Sequence, residues 1–301
     1  MFSEFYANRA INFFQGALRH GDGQFYKQPF RLAPWQHEII ADIFGDVDDA
    51  GMRIAREAYI EIPKKNGKSE FAAGIALAGL ILDDEPGAQV YAAATAKTQA
   101  ENVFRAASKM VAASPLLQQY LRVIPSTGVI VRRDDPHRFF KVLSADGDVH
   151  DGVNPHIVIV DEMHRWKNRK ALDLFEILQR GSPTRRQPLL VMITTAGIRD
   201  ESPLCWPMHE RARQIAEGSL PRLPHFRSWI WAAGPSDPWD SEETWRKANP
   251  SLEPAGFMPV SAIRRLYEDA LQDPTKIAAF KRFQLNIWDQ RATRAIDAQA
   301  W

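Results

Sequence analysis

The sequence predicts an α/β fold, a mostly parallel sheet flanked by helices and followed by a smaller helical subdomain. Three observations carry that prediction. From residue 58 onward, short apolar runs alternate with helically spaced segments. Strands that are apolar throughout and separated by helices imply a parallel sheet covered on both faces. One such run, 58–62, feeds a Gly67-Lys68-Ser69 turn that opens an Ala/Leu-rich helix. Another, 157–160, consists of four apolar β-branched residues and ends in paired acids, Asp161-Glu162.

The elements follow in chain order. Residues 8–18 carry Ile11, Phe14 and Leu18 at helical spacing, and after a polar loop Ile39, Ile40 and Phe44 mark a second helix over 35–44. Strands are expected at 58–62, 89–94, 139–143, 157–160 and 189–194, with helices at 69–82, 98–113 and 171–179 between them. The helix at 98–113 places Ala100, Val103, Phe104, Ala107, Met110 and Val111 on one face. Beyond residue 220 the texture changes to a Pro- and Trp-rich stretch with one strand-like run, 227–233. A helix follows with Val260, Ile263, Leu266, Tyr267 and Ala270 on one face. Asp273-Pro274 is an N-cap followed by Pro at the first helical position, and starts a last helix to about 285. The resulting division is an N-terminal helical segment (1–50), a core (51–220) and a helical subdomain with linker (221–301).

Composition narrows the function classes. Hydrophobic residues at 45% support a sizeable core, and a net charge of +1 gives no global attraction to nucleic acid, so any such contact must be local. The single cysteine, Cys205, excludes an intrachain disulfide framework and fits a reducing cytosol as an inert thiol. No apolar run reaches the length of a membrane span, and the first residues lack the pattern of a secretory signal. The reading is a cytosolic globular chain without membrane contact.

The loop Ile62-Pro63-Lys64-Lys65-Asn66-Gly67-Lys68-Ser69 is nearly a complete phosphate-binding signature. In a strand–turn–helix setting the free N–H groups of Lys64, Lys65, Asn66 and Gly67 and the helix dipole face a polyphosphate. Lys68 would reach the β/γ-phosphates and Ser69 would ligate Mg²⁺. One departure stands out: the usual signature begins with Gly where this chain has Ile62. At the end of the strand 157–160, Asp161 suits Mg²⁺ and Glu162 suits the attacking water. Thr194 and Thr195 end a further strand, where hydroxyls beside a γ-phosphate could sense its loss. Gln36, behind Pro34-Trp35, could set its amide against adenine. For the arginine that phosphoryl transfer usually needs, Arg105 could act in trans, with Lys97 as competitor and Lys64 and Lys65 as cations within the loop. Basic clusters at Arg132-Arg133, 165–170 and Arg180/Arg185-Arg186 could meet a phosphate backbone or simply face solvent. His150, His156 and His164 lack the spacing of a zinc site, so the cofactors implied are ATP and Mg²⁺.

Taken together, Pro34-Trp35-Gln36, Pro63-Lys64-Lys65-Asn66-Gly67-Lys68-Ser69, Ile159-Val160-Asp161-Glu162 and Thr194-Thr195-Ala196 resemble, in that order, the large terminase subunit of tailed bacteriophages. Ser144-Ala145 with Gly152-Val153-Asn154-Pro155, Ala248-Asn249-Pro250 and the run from Phe283 to Trp288 extend the resemblance over nearly the whole chain. It implies a P-loop NTPase fold of the RecA/ASCE type with a C-terminal lid. It further implies an ATPase that pumps double-stranded DNA into a capsid in the host cytoplasm. Such an enzyme works as a homo-oligomeric ring on the portal protein, with a small terminase subunit as partner. The family tolerates the missing first Gly and often has a basic residue at the position of Lys64, and Thr194-Thr195-Ala196 would be its coupling motif. Members usually continue into a nuclease domain with clustered metal-binding acids. No acidic triad is left over here, and the run from Ala295 to Trp301 stands roughly where the linker would begin. A DExH-type helicase or translocase is the alternative, because Asp161-Glu162-Met163-His164 spells its motif.

Overall fold

The computed structural model describes residues 1–145, 153–181 and 183–290; His150, Gly152 and the closing run from Ala295 to Trp301 lie outside the described residues. Eight strands are joined in one sheet. They are β1 (Glu57–Glu61), β2 (Gln89–Ala94), β3 (Leu121–Ile124), β4 (Val129–Arg132), β5 (Phe139–Ser144), β6 (Pro155–Asp161), β7 (Leu189–Thr194) and β8 (Phe226–Ile230), in the order β3-β4-β5-β2-β6-β7-β1-β8. All pairings are parallel except those of β4 with β3 and β5. Every residue of β6 and of β7 is buried, which is why their sequences read as unbroken apolar runs.

One face of the sheet is covered by α1 (Glu4–Asn12), α2 (Pro34–Gly45), α3 (Lys68–Ile81) and α4 (Lys97–Ala113), around a cluster that includes Phe14, Ile39, Phe71 and Phe140. Nearly all of α3 is buried, and its small residues let it lie against the strands. A Cβ added at Gly79 would come within 1.9 Å of Ile157. The other face carries α6 (Arg169–Arg180) and α7 (Cys205–Ala216), packed with Trp166, Phe175 and Met192. The short α5 (Pro115–Tyr120) is capped by the Ser114 hydroxyl, which accepts from Leu117 N–H, and leads into the β3–β4 hairpin.

The last helices, α8 (Glu242–Ala248), α9 (Val260–Gln272) and α10 (Ile277–Gln284), enclose a third apolar cluster around Trp245, Ile263 and Phe280. Asp273 caps the turn before α10 through Thr275 N–H, as its sequence predicts. β8 lies beyond residue 220 in sequence, yet it pairs with β1 along its full length. The separate helical cluster therefore begins after the sheet has closed with β8.

Register brings three strand ends to one edge. Glu61 at the end of β1 stands opposite Thr194 at the end of β7, and Asp161 at the end of β6 stands opposite Ile193. Open α/β sheets place their ligands at this edge.

Candidate nucleotide-hydrolysing site

The turn from β1 to α3 wraps tightly around its own lysine. Lys65 and Gly67 adopt positive φ angles of 70° and 82°, and a Cβ on Gly67 would sit 2.9 Å from the Phe257 ring. Glycine is needed there for both reasons. Lys68 is buried, and its Nζ donates to the carbonyls of Ile62 (3.1 Å) and Pro63 (3.0 Å). Burial lowers the Lys68 ammonium from 10.5 to about 8, against the pull of Glu162 and Asp161. Asp161 shows the reverse. Burial, then repulsion from Glu162, raises its carboxyl to about 7, with Lys68 and the Glu162 N–H opposing. These shifts mark an ammonium and a carboxylate drawn into one poorly hydrated cluster beside Glu162 at the sheet edge. A polyphosphate with a divalent cation would relieve both shifts.

The donor set fits Mg²⁺ shared with a nucleotide. Among the described residues no group of three His, Cys, Asp or Glu could hold a metal. Asp161 has one oxygen engaged by Glu162 N–H at 2.9 Å and leaves the other available, and Ser69 is half-buried at the first turn of α3. One carboxylate plus phosphate oxygens and waters is the usual Mg²⁺ arrangement.

Glu162 follows Asp161 in a left-handed conformation (φ 48°), which ends the strand. Its Oε2 lies 3.2 Å from His164 Nδ1, and that ring nitrogen is also 3.1 Å from Thr194 Oγ1 and 3.5 Å from Thr195 Oγ1. Burial pushes His164 down to about 4, so the ring is neutral. The ring thus lies between Glu162 and the hydroxyls of Thr194 and Thr195, while Glu162 Oε2 is buried without a hydrogen-bond partner. Sequence reasoning considered His164 only as a zinc ligand or a helicase letter and missed this contact. It equally missed Trp166, counted in a basic cluster but fully buried, whose Nε1 donates to the Asp161 carbonyl at 3.1 Å.

Gln36 is buried beside the loop. Its Oε1 accepts from Ala33 N–H at 2.9 Å, while its Nε2 is buried with no hydrogen-bond partner and lies near Gly67. The amide therefore offers a donor to the adjoining cavity. That cavity has about 810 Å³, and its walls include Phe25, Phe30, Phe257 and His20, the last stacked on Phe30 at 4.8 Å. Aromatic walls with one unsatisfied donor suit a purine base.

Asn66 behaves differently from the expectation of a phosphate contact. Its fully buried side chain reaches the C-terminal helical segment: Nδ2 donates to Asn249 Oδ1 at 2.8 Å and Oδ1 accepts from Ser251 N–H at 3.2 Å. Only its backbone remains for a phosphate. Lys64 likewise donates its N–H to the Phe283 carbonyl at 2.9 Å and lays its ammonium over the Phe283 ring at 3.4 Å. Glu162, Arg165, Arg282 and Lys65 surround that ammonium, and burial lowers it. The exposed Lys65 is free of this packing.

Arg105 stands apart. It is exposed on α4, donates to Asn102, and lines a 260 Å³ groove with Glu70 and Lys109. No hydrogen bond or ion pair joins it to Lys68, Asp161 or Glu162. Lys97 opens α4, and its side chain falls outside the described residues. Of the basic clusters, Arg185 is structural, donating to the carbonyls of Pro86, Gly87 and Asn154, and Arg132 pairs with Asp134. Burial raises the Cys205 thiol, which keeps it inert.

Comparison with known proteins agrees with this fold. Residues 34–209 match the family model of the terminase large subunit, ATPase domain. The terminase large subunit of Enterobacteria phage HK97 is 26% identical over 295 residues, covering 97% of this chain and 55% of that protein. The crystal structure of the HK97 large terminase superposes with a TM-score of 0.78 over 94% of this chain and 55% of that one. A mutant form of the Thermus phage P74-26 large terminase ATPase domain shares the fold, at TM-score 0.52 and 18% identity over 88% of this chain and 98% of that one. The chain spans about half the length of the HK97 protein. With the matched residues covering more than half of its length, the chain belongs to the terminase large subunit, ATPase domain family.

Proposed function

We propose that this chain hydrolyses ATP as the motor of phage DNA packaging, translocating double-stranded DNA into a capsid. The observation that carries the reading is the convergence of Lys68, Asp161 and Glu162 at one sheet edge, with His164 lying between Glu162 and Thr194. Lys68 leaves the Ile62 and Pro63 carbonyls for the β/γ-phosphates. The backbone of Lys65, Asn66 and Gly67 cradles the phosphates, since Lys64 gives its N–H to the Phe283 carbonyl, and the Gln36 N–H end meets the adenine. Ser69 and Asp161 would hold Mg²⁺, which when bound neutralises charge on the phosphates. Glu162 accepts the proton of the attacking water. Arg105 serves a neighbouring subunit in a ring, with the Lys97 region as the other candidate.

The division into an N-terminal segment with the adenine contact (1–50), an ATPase core (51–220) and a lid with linker (221–301) belongs to the same proposal, with β8 reaching back into the core sheet. So do a portal protein and a small terminase subunit as partners, and action in the host cytoplasm. No helix among the described residues is long and apolar enough to cross a membrane. The helicase alternative needs a second RecA-like domain. The residues after β8 instead form the α8–α10 cluster, and a single sheet is present among the described residues. Phosphate release with and without double-stranded DNA, alongside displacement of a tailed duplex, tests the reading. Mg²⁺-dependent release without unwinding is expected; unwinding would favour the helicase.

A further inference from the structure

The cavity beside the phosphate loop presents one fixed polar group to whatever base enters it. Gln36 is 1% exposed, and its Nε2 has no hydrogen-bond partner. The backbone settles which way the amide points, because Ala33 N–H donates at 2.9 Å and must meet the oxygen, Oε1. Nε2 therefore lies near Gly67 on the cavity wall as a donor. Of the buried side-chain atoms left without a partner among the described residues, it alone belongs to a residue of this wall. The other polar side chains of the wall are paired or hydrated. His20 Nδ1 and Glu70 Oε2 stand 3.1 Å apart, while Asp22, Gln24, Gln28 and Arg31 are exposed.

We infer that this cavity selects purines over pyrimidines and accepts adenine and guanine alike, with Gln36 Nε2–H as the group that reads the base. Strong discrimination between two bases comes from a buried polar group that the wrong base leaves unpaired. Nε2–H is paired by an acceptor, and N7 is an acceptor on both purines. Telling adenine from guanine would need a buried acceptor that the adenine amino group satisfies and guanine does not. Gln36 Oε1 is already satisfied by Ala33 N–H, so a base that offers it nothing strands nothing. The cavity, at about 810 Å³, leaves room for water around the guanine 2-amino group. Ring size, in contrast, is read. Phe25, Phe30 and Phe257 line the wall, and a pyrimidine covers less of that aromatic surface than a purine. The inference rests on the nucleotide site of the ATPase reading above and names the bases it takes.

The test is calorimetric titration of the chain with the Mg²⁺ complexes of ATP, GTP, CTP and UTP, with phosphate release from each measured alongside. Expected are affinities for ATP and GTP within about tenfold of each other, and CTP and UTP weaker than ATP by roughly tenfold or more. Gln36→Met fills a similar space without a donor. It should weaken ATP and GTP together by roughly two- to tenfold and leave their ratio within about twofold of wild type. Should that variant fail to fold, the four wild-type affinities decide alone. GTP weaker than ATP by more than about tenfold, pyrimidines bound as well as purines, or a Gln36→Met loss confined to one purine would overturn the proposal. The two claims fail differently. Binding and turnover of ATP alone would sink this inference and keep the ATPase reading, whereas purine binding without turnover of any nucleotide would sink the ATPase reading alone.

Discussion

Replacing Asn66 by alanine should lower stability by about 2–6 kcal/mol and loosen the phosphate loop from the C-terminal helices. The magnitude follows from what alanine leaves behind. Asn66 is fully buried, and its side chain satisfies Asn249 Oδ1 at 2.8 Å and Ser251 N–H at 3.2 Å. Asn249 cannot turn its amide to compensate, because its Nδ2 already donates to the carbonyls of Trp245 (2.9 Å) and Gln284 (2.7 Å). Two buried polar groups are thus stranded, each at about 1–3 kcal/mol. In a chain of this length each kcal/mol shifts the melting temperature by roughly 2 °C, so a drop of about 4–12 °C is expected by circular dichroism. Asn66→Asp sharpens the test. It keeps the shape and the acceptor for Ser251, but sets a carboxylate oxygen against Asn249 Oδ1 in a buried site, and should destabilise at least as much as alanine. An alanine variant melting within about 1 °C of wild type, or an Asp variant more stable than Ala, would refute the reasoning.

Gly67→Ala should reduce both nucleotide affinity and melting temperature, since a left-handed residue costs about 1 kcal/mol without glycine and its Cβ would meet the Phe257 ring at 2.9 Å; unchanged ATP binding would count against it. Trp166→Phe removes the bond to the Asp161 carbonyl and should cost about 1 kcal/mol in urea unfolding, with a neutral result contradicting its role. The nucleotide-free chain should show a pH signature. With Asp161 raised from 3.8 to about 7, the folded state holds the proton more tightly across that window, so stability falls as pH rises through it. With Lys68 lowered from 10.5 to about 8, the unfolded state holds more protons above about 8, and stability recovers there. Asp161→Asn should therefore gain on wild type in melting temperature more near pH 7.5 than near pH 5, by roughly the linkage of the raised carboxyl; a pH-independent difference would refute this.

What was legible in the sequence was what burial writes into composition. β6 and β7 are covered on both faces and read as apolar runs, and the turn into α3 carries its signature because phosphate chemistry and a left-handed glycine constrain it. The β3–β4 hairpin escaped notice because each strand has only four residues at the sheet edge, although Pro125-Ser126-Thr127-Gly128 marks the turn between them. Helix α7 was hidden for a different reason. It buries only Cys205 and Ala212 and contains Pro207, so it has little apolar periodicity to detect. The site residues that local pattern missed are those that work through distant partners. Asn66 meets residues 183 and 185 positions away, and His164 comes to lie against Thr194 only when β7 is laid beside β6. Gln36 was legible as a candidate amide for a purine, whereas its burial and the engagement of its oxygen by Ala33 required coordinates.

The measurement that bears most directly on the central claim is Mg²⁺-dependent phosphate release from ATP, run on wild type and Glu162→Gln beside equilibrium nucleotide binding. The account predicts turnover in wild type, a loss of roughly 100-fold or more in the variant, and ATP affinity within about threefold of wild type. Near wild-type turnover in Glu162→Gln would contradict the assignment of the water-activating residue and, with it, the site built around Lys68 and Asp161.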